Sequence, residues 1–241
     1  MTPRTVQFNG QSLTIQIRDE ADESVAAEIF KLREYRITEE LIKNAVDPIL
    51  DIGAHSGLFT LYARTLNPII SIVAVEPEEG NIALLKQHLA DNQITNVKII
   101  EGAIAGTSGR RQLILSQDSH NHRLSDGEKD SKITTTTIRA YSLNDLLNSL
   151  NISRVGLIKM DIEGGEYEVF EGMKTVPPQR DPARCGKDYK KIKAVIMEYH
   201  EIDGRRYSEI ELLLRENGFG VQIFPSKFDK TMGFLFATNK R

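Results

Sequence analysis

The segment from Pro48 to Thr60 reads Pro-Ile-Leu-Asp-Ile-Gly-Ala-His-Ser-Gly-Leu-Phe-Thr, and it limits what the chain can fold into more than any other. Ile49, Leu50 and Ile52 make a short apolar strand that ends at a glycine turn. Leu58, Phe59, Leu61 and Tyr62 then resume at helical spacing. A strand that breaks at glycine and restarts as a helix leaves unpaired backbone N–H groups at the helix start, which favour an anionic group. Gly53 and Gly57 carry no side chain where a ligand would approach the backbone, and Asp51 adds a carboxylate. An ordinary packing turn would need the same glycines for their dihedrals alone, so this segment by itself leaves both readings open.

The next apolar run, Ile69 to Val75, leads directly into Glu76-Pro77. Asp51 to Glu76 therefore forms one strand–helix–strand unit of roughly the 30-residue size such units take. An acid that ends the second parallel strand is placed to accept hydrogen bonds from both hydroxyls of a ribose. Dinucleotides and S-adenosylmethionine are both held in this way. A dinucleotide fingerprint calls for glycine at position 55 and again at position 58. The chain has His55 and Leu58 there, which argues against NAD and FAD.

The 241 residues suffice for one large α/β domain with a short elaboration. A net charge of −3 carries no global signature of a nucleic-acid binder. The lone cysteine, Cys185, excludes an internal disulfide and fits a reducing compartment. No apolar run reaches the roughly 20 residues of a membrane span, and Met1-Thr2-Pro3-Arg4 lacks the apolar core of a signal peptide. The expectation is a cytoplasmic protein with no membrane partner.

Apolar residues alternate on both sides of Asn9-Gly10, which predicts an opening β-hairpin. Amphipathic spacing predicts a helix over 22–32 and a shorter one over 38–45. Residues 1–47 are thus expected to be an extension of hairpin and helices packed on a main domain, 48–241. Further strands are expected at 97–100, 155–160 and 194–200, the last two followed by helical spacing. Extended segments at 112–115 and 133–138 flank a polar loop containing His120 and His122. Two closing strands, 221–224 and 234–238, follow a helix that stops at Asn217-Gly218. Alternating strands and helices with a terminal hairpin indicate one doubly wound sheet.

Three segments in this order carry a recognisable pattern: Asp51 to Gly57, Val75-Glu76-Pro77, and Ile158 to Glu166. They resemble the FkbM family of S-adenosylmethionine-dependent methyltransferases, and Met197 to His200 is similar to that family's fifth-strand ending. The resemblance covers roughly residues 30 to 200. It implies a class I methyltransferase with a Rossmann-like, mostly parallel seven-stranded sheet and one late antiparallel strand. It also implies O-methylation of a hydroxyl on a sugar or other small metabolite. The chain departs from the family at His55, where Asn is commoner, and at Gly165, where Ala is commoner; the loop 175–191 is also long for it.

On this reading S-adenosylmethionine meets the backbone at Gly53, His55 and Gly57. Asp51 lies beside its methionine part, Glu76 holds the ribose, and Pro77 with Ala103 flanks the adenine. Asp161, ending the fourth strand, is the expected substrate-orienting group or general base. His200, ending the fifth, is a second candidate to take the hydroxyl proton. Glu163 and Glu166 serve a helix N-terminus through capping and dipole interactions. A metal would suit clustered carboxylates, but no ligand from another segment is identifiable, so none is assigned. Tyr35 is a packing residue that could close over the cofactor. The basic residues Lys174, Arg180, Arg184, Lys187, Lys190, Lys191 and Lys193 read as a solvated loop; an RNA substrate on the same fold is the rival they raise. A non-catalytic scaffold that keeps the cofactor fold is the other rival, and the intact acid and glycine signals count against it. Oligomeric state is not legible.

Overall fold

A computed structural model describes residues 1–115, 123–124, 134–173, 188–202 and 204–239. The chain opens with the expected hairpin, β1 (Thr2–Phe8) and β2 (Gln11–Ile17), turning through Asn9 and Gly10 at φ 48° and 76°. Two positive φ values match the turn to the twist of the flanking strands. The helix expected over 22–32 is instead α1 (Glu20–Ala26) followed by a wider π-helical turn, Ala27–Leu32. A 3-10 turn, Glu34–Thr38, and α2 (Glu39–Lys43) complete the N-terminal segment.

Strand β3 (Ile49–Ile52) is buried along its whole length, as a central parallel strand covered on both faces must be. It is followed by α3 (Leu58–Leu66), β4 (Ile72–Glu76), α4 (Glu79–Asp91) and β5 (Val97–Glu101). Next come β6 (Ala103–Ala105), β7 (Gly109–Ile114), β8 (Arg123–Leu124) and β9 (Thr135–Ser142). The chain then runs through α5 (Leu143–Ser149), β10 (Leu157–Met160), α6 (Glu166–Gly172) and β11 (Ala194–His200). It closes with α7 (Tyr207–Glu216), β12 (Phe219–Pro225) and β13 (Met232–Asn239).

Seven strands form the main sheet in the order β12-β13-β11-β10-β3-β4-β5. Only β13 runs against the rest. The fold is therefore the class I methyltransferase type of Rossmann-like sheet that the residue pattern implied. One face packs α5, α6 and α7 against Leu50, Ile52, Ile158, Met160 and Val195. The other packs the N-terminal segment, α3 and α4 against Ile49, Ile72, Leu157 and Ile196. Phe8 stacks on Tyr62 at 4.7 Å, and Asn92 bonds both the N–H and the C=O of Thr14, at 2.8 and 2.7 Å, fastening the hairpin to α4.

The extended segments also build a second sheet, not foreseen from the residue pattern, in which β6, β9, β7 and β8 pair in that order. Their pairing is long-range and leaves only a weak local signature. After β3 the chain builds outward through β4 and β5, then returns to place β10 on the other side of β3. The gap between β3 and β10 is the switch point of the sheet, where ligands of open α/β folds bind at the carboxyl ends of the strands.

Candidate functional site

A cleft of about 1000 Å³, open mouth included, lies over that switch point. Gly53, His55, Glu76, Pro77, Ala103 and Asp161 are among its walls, so the structure brings together six of the nine expected site residues. Leu113 and Leu124 of the second sheet and Val25, Glu28, Ile29 and Tyr35 of the N-terminal segment complete them. Tyr35 is buried, with its ring edge-on to Phe59 and Phe234.

Asp51, Gly57 and His200 are not among the walls. Asp51 is fully buried beneath the turn, where its Oδ2 accepts a hydrogen bond from the Thr60 hydroxyl at 2.7 Å. Its Oδ1 faces Lys159 Nζ at 3.7 Å. Burial pushes its carboxyl above the ordinary range, and Lys159 offsets part of that shift. Gly57 begins α3 at φ 82°, and a Cβ there would come 2.7 Å from the Leu85 side chain. Gly53 lies at φ 69°, where a Cβ would fall 1.8 Å from the Asp161 carbonyl oxygen. Both glycines are thus required by the fold itself, whatever is bound.

His55 also adopts a left-handed conformation, φ 50°, which asparagine tolerates better than most side chains. Its Nε2 lies 3.1 Å from an Arg18 guanidinium nitrogen, and Arg18 is itself paired to Asp22. Its backbone N–H donates to Glu76 Oε2 at 2.8 Å. The Glu78 N–H and the Asn81 amide donate to Glu76 Oε1 at 3.1 and 3.2 Å. Burial raises the Glu76 pKa, and these three bonds offset part of the rise. A carboxylate offers about four acceptor positions, so roughly one stays open for a ligand hydroxyl. Binding both hydroxyls of a ribose requires the Asn81 amide to give way. The acid, the apolar wall of Pro77, Ala103, Ile104 and Leu113, and the cleft volume together suit an adenosine.

Lys159 is a site residue that sequence reasoning missed. It is 5 % exposed and donates to the Gly53 carbonyl at 2.7 Å, with Asp51 at 3.7 Å and Asp161 at 3.8 Å. The signal was a lysine inside an otherwise apolar central strand, a position charged residues almost never take unless paired. Glu198 also borders the cleft, and burial together with the nearby Asp161 pushes its carboxyl up to about 9. The same two causes raise Glu163 to about 7.

His200 lies between Glu163, 3.6 Å from Nε2, and Glu166, 3.7 Å from Nδ1. Both are ion-pair distances, too long for hydrogen bonds. Burial alone would lower the His200 pKa, but Glu166, Glu163 and Asp161 overcome it and hold it at about 10. A proton held this firmly occupies the lone pair that a general base, or a metal ion, would have to reach. His120 and His122, Cys185 and the stretch 174–187 of the basic loop lie outside the described residues.

A second cleft, about 1760 Å³, adjoins the first and shares Glu28 and Glu198 with it. It runs between the N-terminal segment and the β12–β13 connection, and Leu32, Phe224, Phe228 and Phe234 make its apolar part. No helix among the described residues is long and apolar enough to cross a membrane.

Residues 51–221 match the methyltransferase FkbM domain. The chain is similar to 31-O-demethyl-FK506 methyltransferase FkbM of Streptomyces tacrolimicus, at 24 % identity over 206 residues and 73 % of each chain. It is similar to methyltransferase sdnD of Sordaria araneosa, at 24 % over 202 residues, covering 72 % of this chain and 73 % of that one. In fold it resembles the METTL16 methyltransferase domain, with a TM-score of 0.55 and 15 % identity over 95 % of this chain and 74 % of the other. An rRNA methylase from Streptococcus thermophilus gives a TM-score of 0.50 at 9 % identity, over 87 % of this chain and 98 % of the other. The matched domain runs from the acid of β3 to the start of β12 and takes in Glu76, Lys159, Asp161 and Glu198, so the chain belongs to the FkbM family of S-adenosylmethionine-dependent methyltransferases.

Proposed function

We propose that the protein transfers a methyl group from S-adenosylmethionine to a hydroxyl oxygen of a small metabolite. The observation that carries this reading is a single cleft with Glu76 in one wall and Asp161 in another, at the ends of β4 and β10. Glu76 would hold the ribose, with Pro77 and Ala103 against the adenine. The backbone at Gly53 and His55 would meet the methionine part. Asp51 and Gly57 act from behind the wall, Asp51 by holding Lys159 and Gly57 by setting the start of α3. S-adenosylmethionine, when bound, supplies a methyl on a sulfonium whose leaving group is a neutral thioether. Asp161 orients the acceptor hydroxyl and draws off its proton as the oxygen attacks. Positioning of the two reactants can supply about 7–11 kcal/mol at its upper range. A general base adds about 10²–10⁴-fold, or roughly 3–5 kcal/mol.

In this proposal residues 1–47 are an extension of the methyltransferase domain 48–241 that walls the cleft with Val25, Glu28, Ile29 and Tyr35. The acceptor enters through the adjoining cleft, whose phenylalanines suit a substrate with an apolar body. A relative named for FK506 methylation favours a small molecule over RNA. The test is turnover of a metabolite extract with methyl-labelled cofactor, followed by product identification, beside calorimetry with S-adenosylmethionine and NAD. Label recovered in a small-molecule methyl ether supports the proposal. Label confined to RNA, or NAD binding as tight as S-adenosylmethionine, would overturn it.

A further inference from the structure

We infer that Asp161, Glu198 and His200 form a binding site for a hard divalent cation of the magnesium or manganese class. The three side chains come from the ends of two adjacent strands, β10 and β11. They offer one ligand atom each, and the three atoms lie within 4.8 Å of one another. A single ion could therefore touch all three after small side-chain rotations. Two carboxylates and one imidazole favour a hard or borderline ion, and the open cleft leaves room for the waters such an ion keeps.

Two further observations, separate from that spacing, point to a bound ion. Glu166 is fully buried; its Oε1 accepts from the Ile162 N–H at 3.1 Å and lies 3.7 Å from His200 Nδ1, and among the described residues neither its Oε2 nor that Nδ1 has a hydrogen-bond partner. A small rotation that closes this gap would give the carboxylate–imidazole pair that orients a metal-ligating histidine, with Nε2 left for the ion. Glu163 stands beside that nitrogen at 3.6 Å as a further oxygen. The second observation is charge. Asp161, Glu163, Glu166 and Glu198 gather here, and Lys159, the nearby lysine, is shared with Asp51 and spends its short hydrogen bond on the Gly53 carbonyl. A divalent ion would take the place of the protons with which this cluster otherwise balances its carboxylates.

Because Asp161 and Glu198 also wall the cleft, the ion would stand where the acceptor hydroxyl arrives. It could hold that oxygen and favour its deprotonation. This last step rests on the methyltransfer reading; binding of the ion does not.

The test is a titration of the full chain with Mn²⁺, followed by electron paramagnetic resonance of the free ion, without cofactor or acceptor. One saturable site is expected, displaced by Mg²⁺, with affinity weakened at least tenfold in Glu198→Gln and in His200→Asn. Circular dichroism and the thermal midpoint confirm that each variant is folded. Glu166→Gln should weaken binding about 10- to 100-fold, as loss of a buried orienting partner does. No saturable Mn²⁺ site in the wild-type chain overturns the inference, and so does affinity unchanged in both folded variants. Displacement by Zn²⁺ but not by Mg²⁺ overturns the assignment to a hard cation. Mn²⁺ binding without any methyl transfer would leave the site standing and remove the proposed reaction.

Discussion

The two ends of the cleft treat carboxylates in opposite ways. At the β4 end, Glu76 is buried and receives three hydrogen bonds from its own fold, two of them from backbone N–H groups. At the β10–β11 end, Asp161, Glu163, Glu166 and Glu198 crowd around Lys159 and His200, and among the described residues buried polar atoms of Glu166 and His200 lack hydrogen-bond partners. The first end is complete as folded and needs only to release one acceptor position. The second crowds its carboxylates enough to raise the proton affinity of Glu163, Glu198 and His200. A binding end is built by satisfying a polar group in advance, and a reacting end by leaving one wanting.

Substitutions at the two ends should therefore separate. The largest effect is expected at the reacting end, where Asp161→Asn should lower kcat by about 10²–10⁴-fold while cofactor affinity stays near wild type. Calorimetry with S-adenosylmethionine beside steady-state kinetics checks this, and a matching loss of cofactor affinity would erase the distinction between the ends. Next is Lys159→Met, which strands the fully buried Asp51 without its cation. Breaking such a pair costs about 3–5 kcal/mol; the lower figure is expected, because Asp51 can take up a proton. Urea unfolding measures the loss, and adding Asp51→Asn should recover most of it.

At the binding end Glu76→Ala should weaken S-adenosylmethionine by roughly 10- to 150-fold, the equivalent of about 1.5–3 kcal/mol, with kcat at saturating cofactor little changed. A fall in kcat instead would mean that the two ends are coupled. The smallest effect concerns His88, which ties the glycine turn to the hairpin. Its Nδ1 lies 2.8 Å from the Ser56 carbonyl and its Nε2 2.8 Å from the Gln16 N–H, which makes Nδ1 the donor and Nε2 the acceptor of a neutral ring. Burial lowers its pKa in the folded chain, so below about 6.5 the unfolded chain takes up a proton that the folded one refuses. Stability should hold above that pH and decline as pH falls toward the folded-state value. A thermal midpoint that falls equally in His88→Asn over that range would place the acid sensitivity elsewhere.

Much of the fold was legible because its signals are local. The glycine turn, the strand ending at Glu76 and the hairpin at Asn9-Gly10 are each written in a few neighbouring residues. Long-range pairing left weaker traces, which is why the sheet of β6 to β9 was not foreseen. At the site, the strand-end rule placed Glu76 and Asp161 on the cleft. It failed for Asp51, because strand position does not say which end residues sink below the turn. It said nothing of the proton affinity of His200, which carboxylates of a neighbouring segment raise.

The sequence by itself determined the order of strands and helices, the two backbone positions that require glycine, and the acids that end β4 and β10. These follow from side-chain periodicity and backbone sterics, which act over a few residues. Only the tertiary structure decided that Lys159 bridges Asp51 and Asp161, that Glu198 and His200 reach Asp161, and that Glu166 sits buried behind the imidazole. Those relations join strands tens of residues apart. They depend on sheet register and on burial, which fix distances and local dielectric together and which no stretch of sequence contains alone.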